Sequence, residues 1–366
     1  MPILYRGLVA LVLVLCAGIS TASADFVDPL NIPAQPSNKA QSSILIGVTQ
    51  TPGGRWVAVG RRGHIIYSDD TKSWKQASVP VSVDLVAVQF PTAKHGWAVG
   101  HGGIILHSSD SGQTWTKQLD GKQLADLLIQ HWKPLAEHAN EDNPSSTYAL
   151  QDAERFKEEG PGRPFLDVHF TDEKAGYAVG AYNLLLRTDD GGTHWQVLAD
   201  LTDNPSAFHF NAVQVMDGSA YLVGEQGLLL KEDPESHRFT PIPTPYNGTW
   251  FGLVAQRESL LLFGLRGSAY LSHNRGQDWT KVDTGTDSTI TSGILLPDGR
   301  TALASADGEL LISQSNESAH FERAIPFNTT PIYGLAPVAG EPAVVAVGAD
   351  GIKRIDFGLT PDQSKR

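Results

Sequence analysis

Gly96-Trp97-Ala98-Val99-Gly100-His101-Gly102-Gly103-Ile104-Ile105-Leu106, followed at once by Ser108-x-Asp110-x-Gly112-x-Thr114-Trp115, decides the architecture. The first eleven residues read as two short apolar strands joined by a glycine-bounded turn. The strand pair recurs as Trp56 to Gly63, Tyr177 to Asn183, Tyr221 to Gly227, Leu262 to Gly267, Leu303 to Gly308 and Val345 to Gly351. Its anchors, Gly60, Gly100, Gly180, Gly224, Gly264, Ser305 and Gly348, are spaced 40, 80, 44, 40, 41 and 43 residues apart. An alternating apolar strand precedes each copy, from Ile44 to Val48 in the first to Ile332 to Pro337 in the last. A period of about 40–45 residues with several short strands per unit is the signature of a propeller blade. The sequence therefore predicts an all-β, seven-bladed β-propeller occupying residues 25–366 as a single domain.

The segment after the third strand is turn chemistry. In Ser108 to Trp115 the Asp accepts backbone N–H groups, Gly takes positive φ and Trp packs between sheets. Thr188-x-Asp190-x-Gly192-x-His194-Trp195 and Ser272-x-Asn274-x-Gly276-x-Asp278-Trp279 are further copies, and a worn one ends at Trp74. This is the Asp-box of bacterial neuraminidase repeats. The double-length gap between units two and three holds an insertion, about residues 120–163. There Leu124, Leu127, Leu128, His131, Trp132 and Leu135, then Ala149, Ala153 and Phe156, recur at helical spacing, with Asn140 to Pro144 as the break. A helical hairpin between blades two and three is expected, standing on the face of the glycine-bounded turns. The last unit ends near Phe357 with three strands. Because that leaves an unpaired edge, residues 25–34 are expected to supply the closing strand, where Pro29 and Pro33 are tolerable.

Composition sets the compartment and excludes several partners. Lys+Arg 28 against Asp+Glu 40 gives a net charge of −12, which argues against a general grip on nucleic acid. Residues 1–24 read as a secretory signal: Arg6, the apolar run Leu8 to Ile19, and Ala22-Ser23-Ala24 as a cleavage site. That run is too short for a bilayer span, which needs roughly 20 residues, so an exported, periplasmic protein without a membrane span is expected. The single cysteine, Cys16, lies inside the signal, so thiol catalysis and thiolate metal binding are excluded from the processed chain. Histidines stand singly, without HxH or HExxH spacing, and no GxSxG elbow occurs. No catalytic residue, metal or cofactor is predicted.

Partner binding is the remaining chemistry. In a blade, the turn between strands two and three and the link to the next blade emerge on one face. The turn residues Arg61, Arg62, His64, His101, Tyr182, Asn183, Glu225, Gln226, Arg266, Asp307 and Asp350 should therefore form a ring, basic on units one, two and five and acidic on four, six and seven. Nearby loops add Phe208, Tyr246, Trp250 and Tyr333. Arg61, Arg62, His101, Tyr182, Arg266, Tyr246 and Trp250 are the candidate partner-binding residues, with the aromatics supplying contact area.

Seven units of this form, with GWAVG-like strands and Asp-box turns, resemble the photosystem II stability/assembly factors of cyanobacteria and chloroplasts and their relatives in other bacteria. The resemblance implies a non-enzymatic scaffold, monomeric by itself, that binds a membrane protein or its periplasmic segment through an arginine-bearing face. Arg61, Arg62 and Arg266 are the positions that match such a face. It implies a thylakoid lumen location in a photosynthetic host, and in other bacteria a role accessory to resistance-nodulation-division type transporters. The rival class is an Asp-box glycosidase, sialidase-like, or a glycan-binding module.

Overall fold

The computed structural model describes residues 27–139, 145–315, 318–324 and 330–357. The expected signal with Cys16, the start at Asp25 and the break at Asn140 to Pro144 lie outside them. The described residues form seven antiparallel sheets, six of four strands and one of three, each running in chain order from an inner to an outer strand. The inner strands are Leu45–Gln50, Leu85–Gln89, Phe165–Phe170, Phe210–Met216, Trp250–Gln256, Ile290–Leu295 and Ile332–Pro337. This is the seven-bladed propeller that the repeat predicts.

The anchor glycines explain the regularity. A Cβ on Gly100 would overlap the carbonyl oxygen of Asp84 and come within 2.8 Å of the Leu85 Cα. Gly60, Gly180, Gly224, Gly264 and Gly348 meet the residue before their own inner strand in the same way. The second strand thus closes on the start of the first at backbone distance, and the first accommodates this with a β-bulge. In all seven inner strands the pairing skips one residue: Ile46, Val86, Leu166, Asn211, Phe251, Thr291 and Tyr333. A bulge re-aims one side chain out of the sheet's alternation. The residue just before it is buried in every blade, from Leu45 and Leu85 through Trp250 to Ile332.

Ring closure corrects one expectation. Residues 27–34 are not a fourth strand of the last sheet. Pro29–Asn31 is a single 3-10 turn, with Asp28 capping the Leu30 N–H. Leu30 is buried in a pit with Val57, Val81, Ile104 and Trp115, between blades one and two. The Ser82 N–H donates to the Pro29 carbonyl and the Ala34 N–H to that of Val79. The segment is held there by one large apolar side chain, which edge pairing on blade seven would leave in water. Blades seven and one instead close by direct packing. A Cβ on Gly334 would lie 2.8 Å from the Ile46 oxygen, repeating the 2.9 Å approach of Gly47 to the Val86 oxygen between blades one and two. Ala40, Leu45, Ala58, Ile66 and Val347 form the apolar seam. The outer strand of blade seven, Gly351–Asp356, carries Lys353 paired with Asp350 and Arg354 paired with Glu341 and Asp356, charges of the kind that blunt a sheet edge.

The insertion is a helical hairpin, α1 (Gly121–Glu137) and α2 (Ser145–Glu159). Asp120 caps α1 in a capping box with Gln123, and Lys117 ties that cap to the N-terminal segment by donating to Asp120 and to the Leu30 carbonyl. Leu124, Ala125 and Leu128 of α1 and Ala153 and Phe156 of α2 are buried against Trp97, Phe165 and Phe170 of blades two and three. Leu135 stays exposed.

The backbone overlap at the anchors makes the fold testable. Gly100→Ala should cost about 3 kcal/mol of stability, the range for overpacking against atoms that cannot swing aside. Gly162→Ala, whose Cβ meets nothing closer than 3.9 Å, should be close to neutral. Urea denaturation of both variants checks this.

Candidate partner-binding face and axial cavity

The glycine-bounded turns lie against the blade-to-blade connections, because the turn glycines Gly63, Gly227 and Gly267 touch the carbonyls of Val81, Tyr246 and Thr286. The Asp-boxes lie at the other end of each blade, where Ser111, Gly191 and Arg275 donate to the turns between strands one and two at Lys94, Lys174 and Glu258. The carboxylates of the boxes are taken up locally. Asp110 accepts from the N–H groups of Gln113 and Thr114 and from the hydroxyls of Ser108 and Thr114. The N–H and the ring of His194 hold Asp190 down at about 2.

Arg61, Arg62 and His101 gather around Asp84. The Arg62 N–H donates to Asp84 Oδ1 at 2.9 Å, Arg61 Nε lies 3.7 Å from Oδ2, and the His101 N–H donates to the Asp84 carbonyl. All three side chains are exposed, that of Arg61 to 60%. Tyr182, exposed to 56%, stands apart from them, edge-on to His209 and beneath the guanidinium of Arg163, which also pairs with Asp152 of α2. Arg266 is exposed in a second hollow of about 560 Å³ with Lys281, Asp283 and Asp287, on the connection between blades five and six. The candidate residues therefore form three stations on one face, with one contiguous basic group at Asp84.

One expected ring member and one aromatic are buried, and a second ring member is engaged by its neighbours. His64 is buried behind its turn, against the Ser43 hydroxyl, and burial lowers its pKa. Asp350 is in the ring but engaged by Lys353 and Thr330. Trp250 is 0% exposed, packed among Leu229, Leu253 and Leu262, and offers a partner no surface. It occupies the buried position before a bulge. Tyr246 is half-buried over it at 4.8 Å, its hydroxyl donating to the Leu265 carbonyl.

The cavity at the axis was not among the sequence candidates. An open hollow of about 470 Å³ is lined by Ile44, Ile46, Arg61, Val86, Leu166, Asn211, Phe251, Thr289, Thr291 and Tyr333. Seven of these are the bulged residues, one from each blade. Of them the sequence reading had named Tyr333 alone. None of these lining residues comes from the hairpin, which packs on blades two and three. The visible signal was a broken alternation: Leu-Ile-Gly, Leu-Val-Ala, Phe-Leu-Asp, Phe-Asn-Ala, Trp-Phe-Gly, Ile-Thr-Ser and Ile-Tyr-Gly open the seven inner strands.

Asp167, following a bulge, departs from the Gly, Ala or Ser of the other blades. It reaches across to accept the Val213 N–H of blade four at 2.9 Å as well as the Val168 N–H. Burial pushes its carboxyl up to about 7 against those two donors, and burial lowers His169 to about 4.

Seven blades, anchor glycines and Asp-box turns on the face away from an axial cavity define the chain as an Asp-box propeller. The family model described as photosynthesis system II assembly factor YCF48 matches residues 35–131 and 161–323, and the chain belongs to that family. Residues 132–160, most of the hairpin, fall between the matched parts. The chain is 23% identical over 180 residues to the chloroplastic photosystem II stability/assembly factor HCF136 of Oryza sativa subsp. japonica, covering 42% of this chain and 43% of that one. It is 28% identical over 118 residues to the photosystem II assembly lipoprotein Ycf48 of Synechococcus sp. (strain CC9902), covering 31% and 35%. The chain thus spans less than half the length of these curated relatives. A solved structure of YCF48 bound to D1 peptide superposes with a TM-score of 0.62 at 14% identity, covering 89% of this chain and 99% of that one. No helix among the described residues is long and apolar enough to cross a membrane.

Two predictions come from the strained and buried groups. Asp167 has a raised folded-state pKa, so between about pH 4 and 7 the native state holds a proton that the unfolded chain has released, and stability falls as pH rises through that window. The urea midpoint of the native chain should therefore drop from pH 4 to 7.5 relative to that of Asp167→Asn, which lacks the titrating group. Arg62 and Arg266 hold left-handed φ of 57° and 55°. Arg266→Gly should raise stability by about 0.5–1 kcal/mol by relieving that conformation, measured by the same titration.

Proposed function

We propose that the chain is a non-enzymatic assembly or accessory factor that holds an extended segment of a membrane protein on the face bearing Arg61, Arg62 and His101. The observation that carries the reading is the placement of this exposed basic group around Asp84, with Arg61 at the rim of the axial cavity, in a chain of the YCF48 family. Arginine suits the role because its planar fork pairs with carboxylates and keeps its charge when partly desolvated. A propeller supplies the rigid platform on which such loops act. The absence of catalysis is part of the proposal. The signal-like residues 1–24 support export, with the periplasm or a thylakoid lumen as the working compartment. Tyr182 and Arg266 are proposed as outlying contacts. The family's own partner and a transporter of the resistance-nodulation-division type are the two partner classes.

Arg61→Glu combined with Arg62→Glu should reduce capture of the membrane-protein partner from detergent-solubilised host membranes about tenfold or more, with the loss growing milder at high salt. Asp110→Ala, on the opposite face, should leave capture intact in a protein that still folds. Capture that survives the double change and fails with Asp110→Ala places the partner on the other face.

A further inference from the structure

Building on the reading that this face binds an extended protein segment, we propose that the axial cavity is an anchor pocket for one bulky apolar side chain of that segment, with Arg61 pairing a carboxylate carried beside it.

The wall is mainly apolar, with Thr289, the Tyr333 hydroxyl and Arg61 among its polar groups. Ile46, Val86, Leu166, Phe251 and Tyr333 present aliphatic or aromatic groups. The two polar bulge residues are engaged by the scaffold: Asn211 Nδ2 donates to the Trp250 carbonyl at 2.7 Å, and Thr291 Oγ1 donates to the Ile332 carbonyl at 2.5 Å. Phe251 keeps 37% of its surface open in a chain whose aromatic side chains are mostly buried. Its blade neighbour Trp250 is locked in the core, so the exposed ring is held on a rigid strand.

The volume admits a bulky side chain, and the charge at the rim selects what stands beside it. About 470 Å³ lies within the range of roughly 300–1,000 Å³ of ligand pockets. A site for a free small molecule adds several convergent polar groups that fix orientation, whereas here the charged group is a single cation, Arg61, beside a mainly apolar wall. That pattern is an anchor pocket, in which a buried aromatic or aliphatic group supplies the binding energy and surrounding contacts exclude water. Arg61 makes a loose ion pair with Asp84, its Nε 3.7 Å from Oδ2, and its side chain keeps 60% of its surface open to a second carboxylate. An acidic residue adjacent to the anchor complements that guanidinium.

The test uses the full chain and three labelled peptides, acetyl-GSDFSG-amide, acetyl-GSDASG-amide and acetyl-GSNFSG-amide, followed by fluorescence anisotropy. The Phe peptide should bind at least tenfold tighter than its Ala counterpart. Val86→Trp and Thr291→Trp, which project an indole into the cavity from two different blades, should in combination erase that preference, and circular dichroism identifies a variant that fails to fold. Arg61→Glu should erase the preference for Asp over Asn and keep that for Phe over Ala. Equal binding of the Phe and Ala peptides, or a preference that survives both folded plugs, overturns the anchor pocket. The partner reading fails separately: if the plugs abolish the Phe preference and the Arg61→Glu, Arg62→Glu protein still captures its membrane-protein partner, the pocket stands and the partner docks elsewhere.

Discussion

The close approach of the anchor glycines to the start of each inner strand is the constraint on which the rest of the structure depends. At Gly60, Gly100, Gly180, Gly224, Gly264 and Gly348 there is no room for a Cβ against the opposing backbone. That contact forces one residue out of register, so that a large residue turns into the core and the next turns to the axis. The interblade core and the axial cavity are therefore two results of one backbone event, repeated seven times. Blade six reaches the same register with Ser305, whose hydroxyl donates to the buried Glu309, itself paired with Arg323. The bulge in that blade forms with a Cβ at the anchor position.

This explains which parts of the molecule were legible in the sequence. The glycine spacing and the Asp-boxes are local backbone requirements, and local requirements leave the same residue types at each repeat. Blade number, the position of the hairpin and the face carrying Arg61 and Arg62 followed from them. Counting Trp250 among the loop aromatics misplaces it. Aligned on the anchors, it stands in the column of Leu45, Leu85, Phe165, Phe210, Ile290 and Ile332, every one buried. The neighbouring column, containing Phe251, is the one that faces open space. Two adjacent apolar residues followed by a small one were readable as a bulge, and the simple two-residue period of a strand hid them.

The N-terminal segment shows where local reading ends. A three-stranded last sheet made edge pairing the economical expectation, yet the edge of blade seven is defended by Lys353 and Arg354, and Leu30 finds more apolar contact between blades one and two. Nothing in residues 27–34 taken alone distinguishes these outcomes, because the pit that accepts Leu30 is assembled from Val57, Val81, Ile104 and Trp115, far apart in the chain. The same segment meets the hairpin root through Lys117 and Asp120, and Lys122 of α1 pairs with Asp28. Its position is set by elements that come later in the sequence.

A propeller separates stability from recognition more cleanly than most folds. The positions before the bulges and the anchors are fixed by packing, while the bulge residues and turn residues are free to differ from blade to blade. In this chain they do differ: the turns run from Arg61 and Arg62 through Tyr182 to Asp307, and the bulges from Ile46 to Asn211 and Phe251. Some of those turn residues hold left-handed backbone, Arg62, Tyr182, Gln226 and Arg266 among them, at a cost of about 1 kcal/mol or more each where glycine would relieve it. Side chains kept at such positions point outward from a backbone that packing overdetermines, so their directions are set before any partner arrives. The hairpin adds to this on one side only, burying its apolar stripe on blades two and three. A partner approaching the face meets a fixed basic cluster, an open apolar well and a helical wall in a constant arrangement, with little ordering left to be done on the propeller side.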